Sequence, residues 1–384
     1  MHTAALSWYV NPNARTWRAE PISKDVHAFH QGLPGYRRTR LIELPALAEE
    51  LGVGRVVVKD ESSRWGLPAF KILGASYAIS RALSERLGCG DAALGFEELT
   101  ARLAGTAGPT LVAATDGNHG RAVAHVARLL GLPAHIFVPT AVSRAAIDAL
   151  AGEGARVSEL AIPYDDVVSA AAQWARDAGP IAVLVQDTDT GWSGYERMPQ
   201  WIVDGYSTMF AEADAQVAEH GLARVDLVAV PVGVGSLAQA TVRHYRGGAG
   251  AGPVVLSVEA ENAPAIISSL HAREPITVDT TFTIMAGLNC GTPSAGAWPY
   301  LSAGLDAATT VSDAQAAQAV HDLAGLGVDA GPCGAAALAG VRAVVTDPVR
   351  RAETGLDSDA VVLVLSTEGI AANPLPGSES VKQR

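Results

Sequence analysis

The stretch TLVAATDGNHGRAVAHVARLLGLPAHIFVP occupies residues 110–139. It passes from an apolar run through a glycine-containing turn into a helix with an apolar period, and then into a second apolar run. Continuous apolar runs are typical of strands buried on both faces, and the helix between them supplies a parallel crossover. Similar runs recur at residues 55–60, 181–187, 225–232, 253–259 and 360–366. The sequence therefore predicts a layered α/β protein with parallel sheet.

Composition narrows the class of protein. The chain has 384 residues, enough for two substructures, and a formal net charge of −12. A surface for nucleic acid or anionic membrane needs clustered cations, so neither partner is expected. No run of about 18 apolar residues and no signal-peptide pattern is evident, which predicts a cytoplasmic protein without a membrane partner.

The three cysteines lie far apart in the sequence. Cys89, Cys290 and Cys333 form no CxxC pair, so neither a disulfide scaffold nor a zinc site is indicated. His119 and His125 are six residues apart and do not share a helix face. We therefore expect no metal site.

Polar residues and glycines follow directly after the apolar runs. Open α/β sheets bind their ligands at the carboxyl ends of the strands. The residues at these ends are Asp60, Asp116, Asp187, Gly233, Glu259 and Ser366. This pattern predicts a ligand site along one sheet edge.

Two glycine turns can bind an anion or simply shape the chain. In DGNHG, residues 116–120, the turn exposes several backbone N–H groups, although Asp116 or Asn118 could equally cap the next helix. In VGVGS, residues 232–236, amides and a hydroxyl meet at a helix start, which suits a phosphate. The same segment fits GxGxxA, with Glu259 after the next strand, so a dinucleotide fold and a packing turn stay open.

Candidate chemical groups remain ambiguous when each is taken alone. Ser366 and Thr367 could bond a heterocycle nitrogen or nearby backbone, and Asp187 with Asp189 could be acid/base groups, metal ligands or solvated loop residues. Lys71 precedes an apolar helical pattern. A desolvated lysine is a nucleophile, whereas a surface lysine merely extends its amine into water.

Several stretches together carry a family resemblance. They are FHQGLPGYRRTRL, VKDESSRWGLPAFK, ATDGNHGRAVAH, QDT followed by GYERMPQWIVDGY, TIMAGLNCG and VVLVLSTEG, and they span residues 29–369 in order. In these the chain resembles pyridoxal 5′-phosphate enzymes of fold type II, the tryptophan synthase β fold. Within that group it most resembles the diaminopropionate ammonia-lyase family.

The resemblance implies an architecture of two open twisted α/β domains with the cofactor between them. The larger domain would comprise residues 1–76 and 205–384, and the smaller inserted domain residues 77–204. It also implies a homodimer.

The resemblance further implies roles for individual residues. Lys71 would bind pyridoxal phosphate covalently, Asn118 would contact its ring hydroxyl, and Ser366 or Thr367 its pyridine nitrogen. The phosphate would lie against Gly233, Val234, Gly235 and Ser236. Lys71, Asp116 and Asp187 would be catalytic, and the amino-acid substrate would contact Ser63, Thr115, Asp116, Asp187 and Tyr195.

The implied reaction is α,β-elimination on D- or L-2,3-diaminopropionate to give pyruvate and ammonia. Related dehydratases usually have serine where this chain has Asp116, and a carboxylate can pair with a second substrate ammonium. One departure leaves another β-substituted amino acid open as substrate: the family's usual Gly-Glu-Ser-Gly reads Gly331, Pro332, Cys333, Gly334. An NAD-linked oxidoreductase and a non-catalytic binding relative are the remaining alternatives.

Overall fold

The computed structural model describes residues 7–115, 117–187, 195, 197–248, 250 and 252–375, so Asp116 lies outside the described residues. The chain divides into two compact units. The first unit comprises Met1–Ile22, Arg38–Ala69 and Met209–Arg384. The second unit comprises Ser23–Arg37 and Phe70–Thr208.

The first unit contains a seven-stranded sheet. Its strands are β1 (Trp8–Val10), β2 (Arg40–Glu43), β3 (Arg55–Asp60), β8 (Leu227–Pro231), β9 (Val254–Ala260), β10 (Ala307–Val311) and β11 (Val361–Ser366). They lie in the order β1-β10-β9-β8-β11-β3-β2, and only the edge strands β1 and β2 pair antiparallel. The register places Ser366 opposite Asp60, so the carboxyl ends of β11 and β3 lie side by side.

Helices cover this sheet. They are α2 (Pro45–Leu51), α9 (Ser207–Glu219), α10 (Ser236–Arg246), α11 (Ala265–Ala272), α12 (Trp298–Gly304), α13 (Asp313–Gly325), α14 (Pro332–Val345) and α15 (Pro348–Thr354). Helix α14 packs across β8, β9, β10 and β11. A Cβ atom at Gly340 would lie 2.3 Å from Val258 Cγ2, so glycine there allows the helix its close approach to the sheet.

The second unit contains a four-stranded, all-parallel sheet. Its strands are β4 (Thr110–Ala114), β5 (Ala134–Pro139), β6 (Arg156–Leu160) and β7 (Ala182–Leu184), in the order β6-β5-β4-β7. Its helices are α1 (Asp25–Gln31), α3 (Ile72–Arg86), α4 (Phe96–Leu103), α5 (Asn118–Leu130), α6 (Arg144–Gly152), α7 (Tyr164–Ala178) and α8 (Arg197–Gly205). The stretch 110–139 forms β4, α5 and parallel β5, and the predicted α/β class is confirmed.

The compact units differ from the predicted domain limits. Residues 23–37, 70–76 and 205–208 belong to the second unit, whereas the sequence placed all three segments in the larger domain. The physical reason is that α1 packs against α3 and α8. His30 is fully buried, and its ring nitrogens contact Leu73 O at 2.9 Å and Thr208 Oγ1 at 2.7 Å.

Four strands were not predicted. Strands β1 and β2 are short antiparallel edge strands, and β6 is only partly buried, so none of these three has the continuous apolar run of a central parallel strand. Strand β10 reads AATTV and is mostly buried despite its threonines. In the described part of the chain, every helix is too short or too polar to cross a bilayer.

Candidate active site

Lys71 lies immediately before α3 and forms an ion pair within the second unit. Its Nζ atom donates to Asp187 Oδ2 at 2.7 Å, and the two side chains are 26% and 9% exposed. The rings of Phe70 and Tyr206 have their centroids 5.4 and 5.9 Å from Nζ, within cation–π range. The amine is therefore directed at a carboxylate, and the surface-lysine interpretation is wrong.

Opposing effects set the protonation of Asp187. Burial alone would raise the pKa of this carboxyl, but the charge of Lys71 and the hydrogen bond that it donates outweigh burial and lower the pKa to about 2. Asp187 is thus the anionic partner of the Lys71 ammonium. Loss of the Lys71 charge would remove the main opposition to burial and raise the Asp187 pKa toward the range useful for proton transfer.

The turn between β4 and α5 is organised by Thr115. This residue is buried, and its Oγ1 accepts from the backbone N–H groups of Gly117 at 2.9 Å and Gly120 at 3.0 Å. A Cβ atom at Gly120 would lie 2.3 Å from Thr115 Cγ2, so only glycine fits. The contacts make Thr115 a cap for α5, whose first residue is Asn118.

The sequence missed two residues that hold this site together. His119 Nε2 donates to Val185 O at 2.8 Å, and Gln186 Oε1 accepts from Ala114 N at 3.0 Å. The sequence pattern raises His119 only as a metal ligand and gives no signal for this hydrogen bond. For Gln186 the sequence offers one signal, namely a polar residue directly after the apolar run IAVLV of residues 181–185.

Tyr195 contacts the segment that carries Asp187. Its hydroxyl accepts from Gln186 N at 2.6 Å and lies 3.3 Å from Gln186 O. The structure therefore places the hydroxyl against backbone, where it holds Gln186 next to the Asp187 carboxylate.

The glycine turn of the first unit begins α10. Gly235 has φ of +105°, a conformation that favours glycine, and a Cβ atom there would lie 2.7 Å from Leu301 Cδ1. A Cβ atom at Gly233 would lie 2.9 Å from Gly287 O. Neither position therefore has room for a side chain. The turn directs its amides and Ser236 as a helix N-terminus does for a phosphate.

Ser366 ends β11 in the first unit. The side chain is fully buried, and within the described residues its Oγ has no hydrogen-bond partner. Buried hydroxyls in native proteins are nearly always paired, so this atom is available to bond a group that binds here. Thr367, the alternative candidate, is also buried.

The departure from the family pattern lies at the start of α14. Gly331 N donates to Glu368 O at 2.9 Å, and Cys333 N donates to Glu368 Oε1 at 3.2 Å. A Cβ atom at Gly334 would lie 3.0 Å from Ser366 Oγ. The run thus packs directly against the end of β11, and the Glu368 side chain supplies a carboxylate at the start of the helix.

Ser63, a predicted substrate contact, lies exposed in the loop after β3. A buried charge cluster, defined by Lys59, Glu61, Arg64 and Glu212, holds this loop. Arg64 Nη1 contacts Glu212 Oε1 at 2.7 Å, and its Nη2 contacts Glu61 Oε1 at 2.6 Å. Lys59 Nζ contacts Glu212 Oε2 at 2.7 Å.

Glu259 explains why the dinucleotide interpretation is wrong. Its two carboxyl oxygens accept from Ile266 N at 2.7 Å and Ile267 N at 2.8 Å, and the side chain is fully buried. Burial raises the pKa of this carboxyl to about 8, although the two amide hydrogen bonds oppose the shift. Glu259 is therefore a cap for α11 and is not available to a ribose hydroxyl.

Comparison with known proteins agrees with this geometry. The family model described as pyridoxal-phosphate dependent enzyme matches residues 33–367. The diaminopropionate ammonia-lyase of Escherichia coli strain K12 is 36% identical over 360 residues, which cover 90% of this chain and 88% of that protein. The chain belongs to the diaminopropionate ammonia-lyase family of pyridoxal-phosphate-dependent enzymes.

Two further proteins of this family are similar over nearly their full length. The diaminopropionate ammonia-lyase of Salmonella typhimurium strain LT2 is 34% identical over 369 residues, which cover 91% of this chain and 89% of that protein. A crystal structure of the E. coli lyase in complex with an aminoacrylate-PLP azomethine reaction intermediate matches with a TM-score of 0.83 and 33% identity. That match covers 95% of this chain and 94% of the other.

Each unit, taken by itself, contains groups that fit a part of the cofactor of this family. The first unit supplies a glycine cradle at Gly233 and Gly235 and the buried Ser366 hydroxyl, which has no partner among the residues that the structure describes. The second unit supplies the Lys71 amine beside a carboxylate. Pyridoxal phosphate requires these donors: an amine for its aldehyde, amides for its phosphate and a polar partner for its ring nitrogen. Within the described residues, no cluster of three or more His, Cys, Asp or Glu could hold a metal ion.

Proposed function

We propose that this protein catalyses α,β-elimination on 2,3-diaminopropionate. One water and one substrate would give pyruvate and two ammonia molecules. The Lys71–Asp187 ion pair carries the proposal, because it places an amine and a carboxylate 2.7 Å apart at one point. The substrate is the one for which the similar E. coli and Salmonella lyases are named.

The cofactor-binding roles follow the predicted assignments. Lys71 would bind the aldehyde carbon, Asn118 the ring hydroxyl and Ser366 the pyridine nitrogen, with Thr367 as the alternative. Gly233, Val234, Gly235 and Ser236 would bind the phosphate. When bound, pyridoxal phosphate withdraws electrons from the substrate α-carbon and so acidifies its proton.

Protons would then move through residues of this chain. Lys71 Nζ, freed when the substrate amine replaces it, would remove the Cα proton from one enantiomer, and Asp116 would remove it from the other. Asp187 would take the proton that the substrate α-ammonium releases when its nitrogen replaces Lys71, since burial raises the Asp187 pKa once the neighbouring charge is gone, and would pass that proton to the β-amino group as the β-carbon–nitrogen bond breaks. Asp116 would also accept a hydrogen bond from the substrate's second nitrogen.

Substrate contacts are proposed at both units. Ser63, exposed after β3, is available to the substrate. Thr115 and Tyr195 would act mainly through the backbone they hold, because their oxygens already accept hydrogen bonds from it.

Ammonia and pyruvate measured together test the proposal. Purified holoenzyme should release two ammonia per pyruvate from D- or L-2,3-diaminopropionate, and Lys71→Ala should lose both products and the visible absorption of bound cofactor. The proposal is wrong if holoenzyme yields no pyruvate from either enantiomer.

A second substrate class has one observation in its favour, namely the Gly331–Pro332–Cys333–Gly334 run packed on β11. A panel of serine, threonine and other β-substituted amino acids would distinguish it. Serine releases one ammonia per pyruvate, and a kcat/KM higher for serine than for diaminopropionate would favour this alternative.

We also propose a cytoplasmic homodimer. In the described part of the chain, no cysteine forms a disulfide, which supports a reducing compartment. The homodimer rests on the family resemblance alone. Light scattering after size-exclusion chromatography should give twice the chain mass of 39.6 kDa.

A further inference from the structure

The segment that carries Asp187 leaves the sheet where β7 ends. Its backbone groups nevertheless remain paired. Val185 N donates to Val112 O at 2.7 Å, and Val185 O accepts from His119 Nε2 at 2.8 Å. The N–H of Gln186 donates to the Tyr195 hydroxyl, which also contacts the Gln186 carbonyl. The Val185 N–H thus still bonds strand β4, whereas side chains replace a strand as partners for the Val185 carbonyl and for the backbone of Gln186.

Gln186 makes a second connection. Its side chain is fully buried, its Oε1 accepts from Ala114 N at 3.0 Å, and its Nε2 donates to Tyr164 OH at 3.3 Å. Ala114 is the last residue of β4. Two side chains, His119 and Gln186, thus tie Ala114 and the start of α5 to residues 185–186.

The chemical form of His119 follows from its partner. A carbonyl oxygen can only accept, so Nε2 carries the proton that bonds Val185 O. Burial lowers the pKa of the imidazole and keeps it neutral. His119 is the second residue of α5, so this helix fixes the position of the hydrogen-bond donor.

We propose that His119 is a positioning residue for Asp187. By donating to Val185 O, it fixes the backbone from which the Asp187 carboxylate reaches Lys71, and Gln186 acts as a second connection. The inference rests on the proposed function, in which Asp187 protonates the leaving amine.

Removal of the donor leaves Val185 O buried without a partner, which costs free energy unless the segment moves toward water. Such movement separates Asp187 from Lys71. Proton transfer depends on atoms held within about 0.5 Å of their productive positions. We therefore expect a loss in kcat, with little change in substrate affinity.

A pair of variants separates hydrogen bonding from packing. His119→Gln keeps an N–H donor near the Nε2 position, whereas His119→Leu keeps the volume and removes the donor. His119→Leu should lower kcat about tenfold to a hundredfold, while KM changes less than about threefold. His119→Gln should restore kcat to within about threefold of wild type. Equal kcat in the two variants, or an unchanged kcat in His119→Leu, would overturn the proposal.

Backbone hydrogen exchange of the cofactor-free protein gives a readout independent of turnover. In His119→Leu, exchange at residues 185–187 should accelerate about tenfold or more, while β5 keeps wild-type rates. Unchanged exchange at 185–187 would overturn the proposal even if activity fell. If wild-type holoenzyme releases no pyruvate, the proposed function fails, and this exchange measurement still decides whether His119 fixes the segment.

Gln186→Met provides a second variant if His119→Leu does not fold. It removes the bond to Ala114 N and should accelerate exchange at the same residues and lower kcat. Unchanged exchange in Gln186→Met would contradict the proposed role of Gln186 as a second connection. In the double variant, the two effects should combine to less than their product, because both act on one segment.

Discussion

Lys71 Nζ lies 2.7 Å from Asp187 Oδ2, with both side chains largely withdrawn from solvent. The two residues are 116 positions apart in the sequence and meet within one compact unit. The pair holds the amine and the candidate proton donor in opposite charge states. The same two residues are therefore expected to stabilise the cofactor-free protein and to act in the proposed reaction.

Asp187→Asn should destabilise the cofactor-free protein at neutral pH. The folded-state pKa of Asp187, about 2, lies below its ordinary 3.8, so folding gains about 2 kcal/mol from the carboxylate above pH 4. This gain is lost as the pH falls through 2, because the unfolded chain binds the proton first. Urea unfolding of both proteins at pH 6 and pH 3 should show the difference shrinking to about half. An equal difference at both pH values would contradict a contribution from charge.

Ser366→Ala should weaken cofactor binding without destabilising the cofactor-free protein. Its buried hydroxyl has no partner among the described residues, so its removal costs nothing before the cofactor binds. Loss of a hydrogen bond worth about 1 kcal/mol predicts about fivefold weaker binding in a titration followed by visible absorption.

Ser257→Ala is the matched control, because this hydroxyl in β9 is also buried and unpaired within the described residues. It should leave cofactor affinity unchanged. The interpretation of Ser366 fails if both variants bind the cofactor equally well.

Gly334→Ala should disturb the end of β11. The new Cβ would lie 3.0 Å from Ser366 Oγ, from the Glu368 carbonyl oxygen and from Thr367 N. Because two of these atoms are backbone, overpacking should cost about 1–3 kcal/mol in unfolding free energy and weaken cofactor binding. Gly325→Ala, at the end of α13 with no described atom within 4 Å, should stabilise by up to about 1 kcal/mol. Similar effects of both substitutions would show that the packing at Gly334 is not critical.

Arg64→Met should destabilise the first unit strongly. The guanidinium is fully buried between Glu61 and Glu212, and its removal deprives both buried carboxylates of their guanidinium partner. Breaking such a pair costs about 3–5 kcal/mol. Arg38→Met, which removes the exposed pair with Glu219, should cost less than about 1 kcal/mol in the same urea unfolding measurement. Comparable losses would contradict the importance of burial.

Glu212 adds a pH dependence to the same cluster. Burial would raise the pKa of this carboxyl, but hydrogen bonds and charges from Arg64 and Lys59 lower it to about 2, below its ordinary 4.5. Its contribution to stability is therefore present above pH 4.5 and is lost as the pH falls through 2. Glu212→Gln should consequently lose more stability relative to wild type at pH 6 than at pH 3, and the reverse order would be contrary to expectation.

The sequence by itself determined the α/β class, the family and the order of the chemical motifs. Buried parallel strands require continuous apolar runs, and the turns after them require glycine, so both leave local signals around residues 110–139 and at Gly233 and Gly235. An edge strand such as β2 does not need a continuous apolar run, so it leaves no such signal in the sequence. The sequence also predicted Lys71 as the cofactor lysine, through the resemblance of several stretches taken together.

Only the tertiary structure decided which groups meet. Nothing local in the sequence specifies that Lys71 contacts Asp187, that Glu259 caps α11, or that His119 bonds the Val185 carbonyl. Each contact joins different elements, and packing selects the partner. The energy of a polar group depends on burial and on that partner, which a linear pattern does not contain. For this reason the sequence could name the reactive residues, while the structure was needed to find the side chains that hold them.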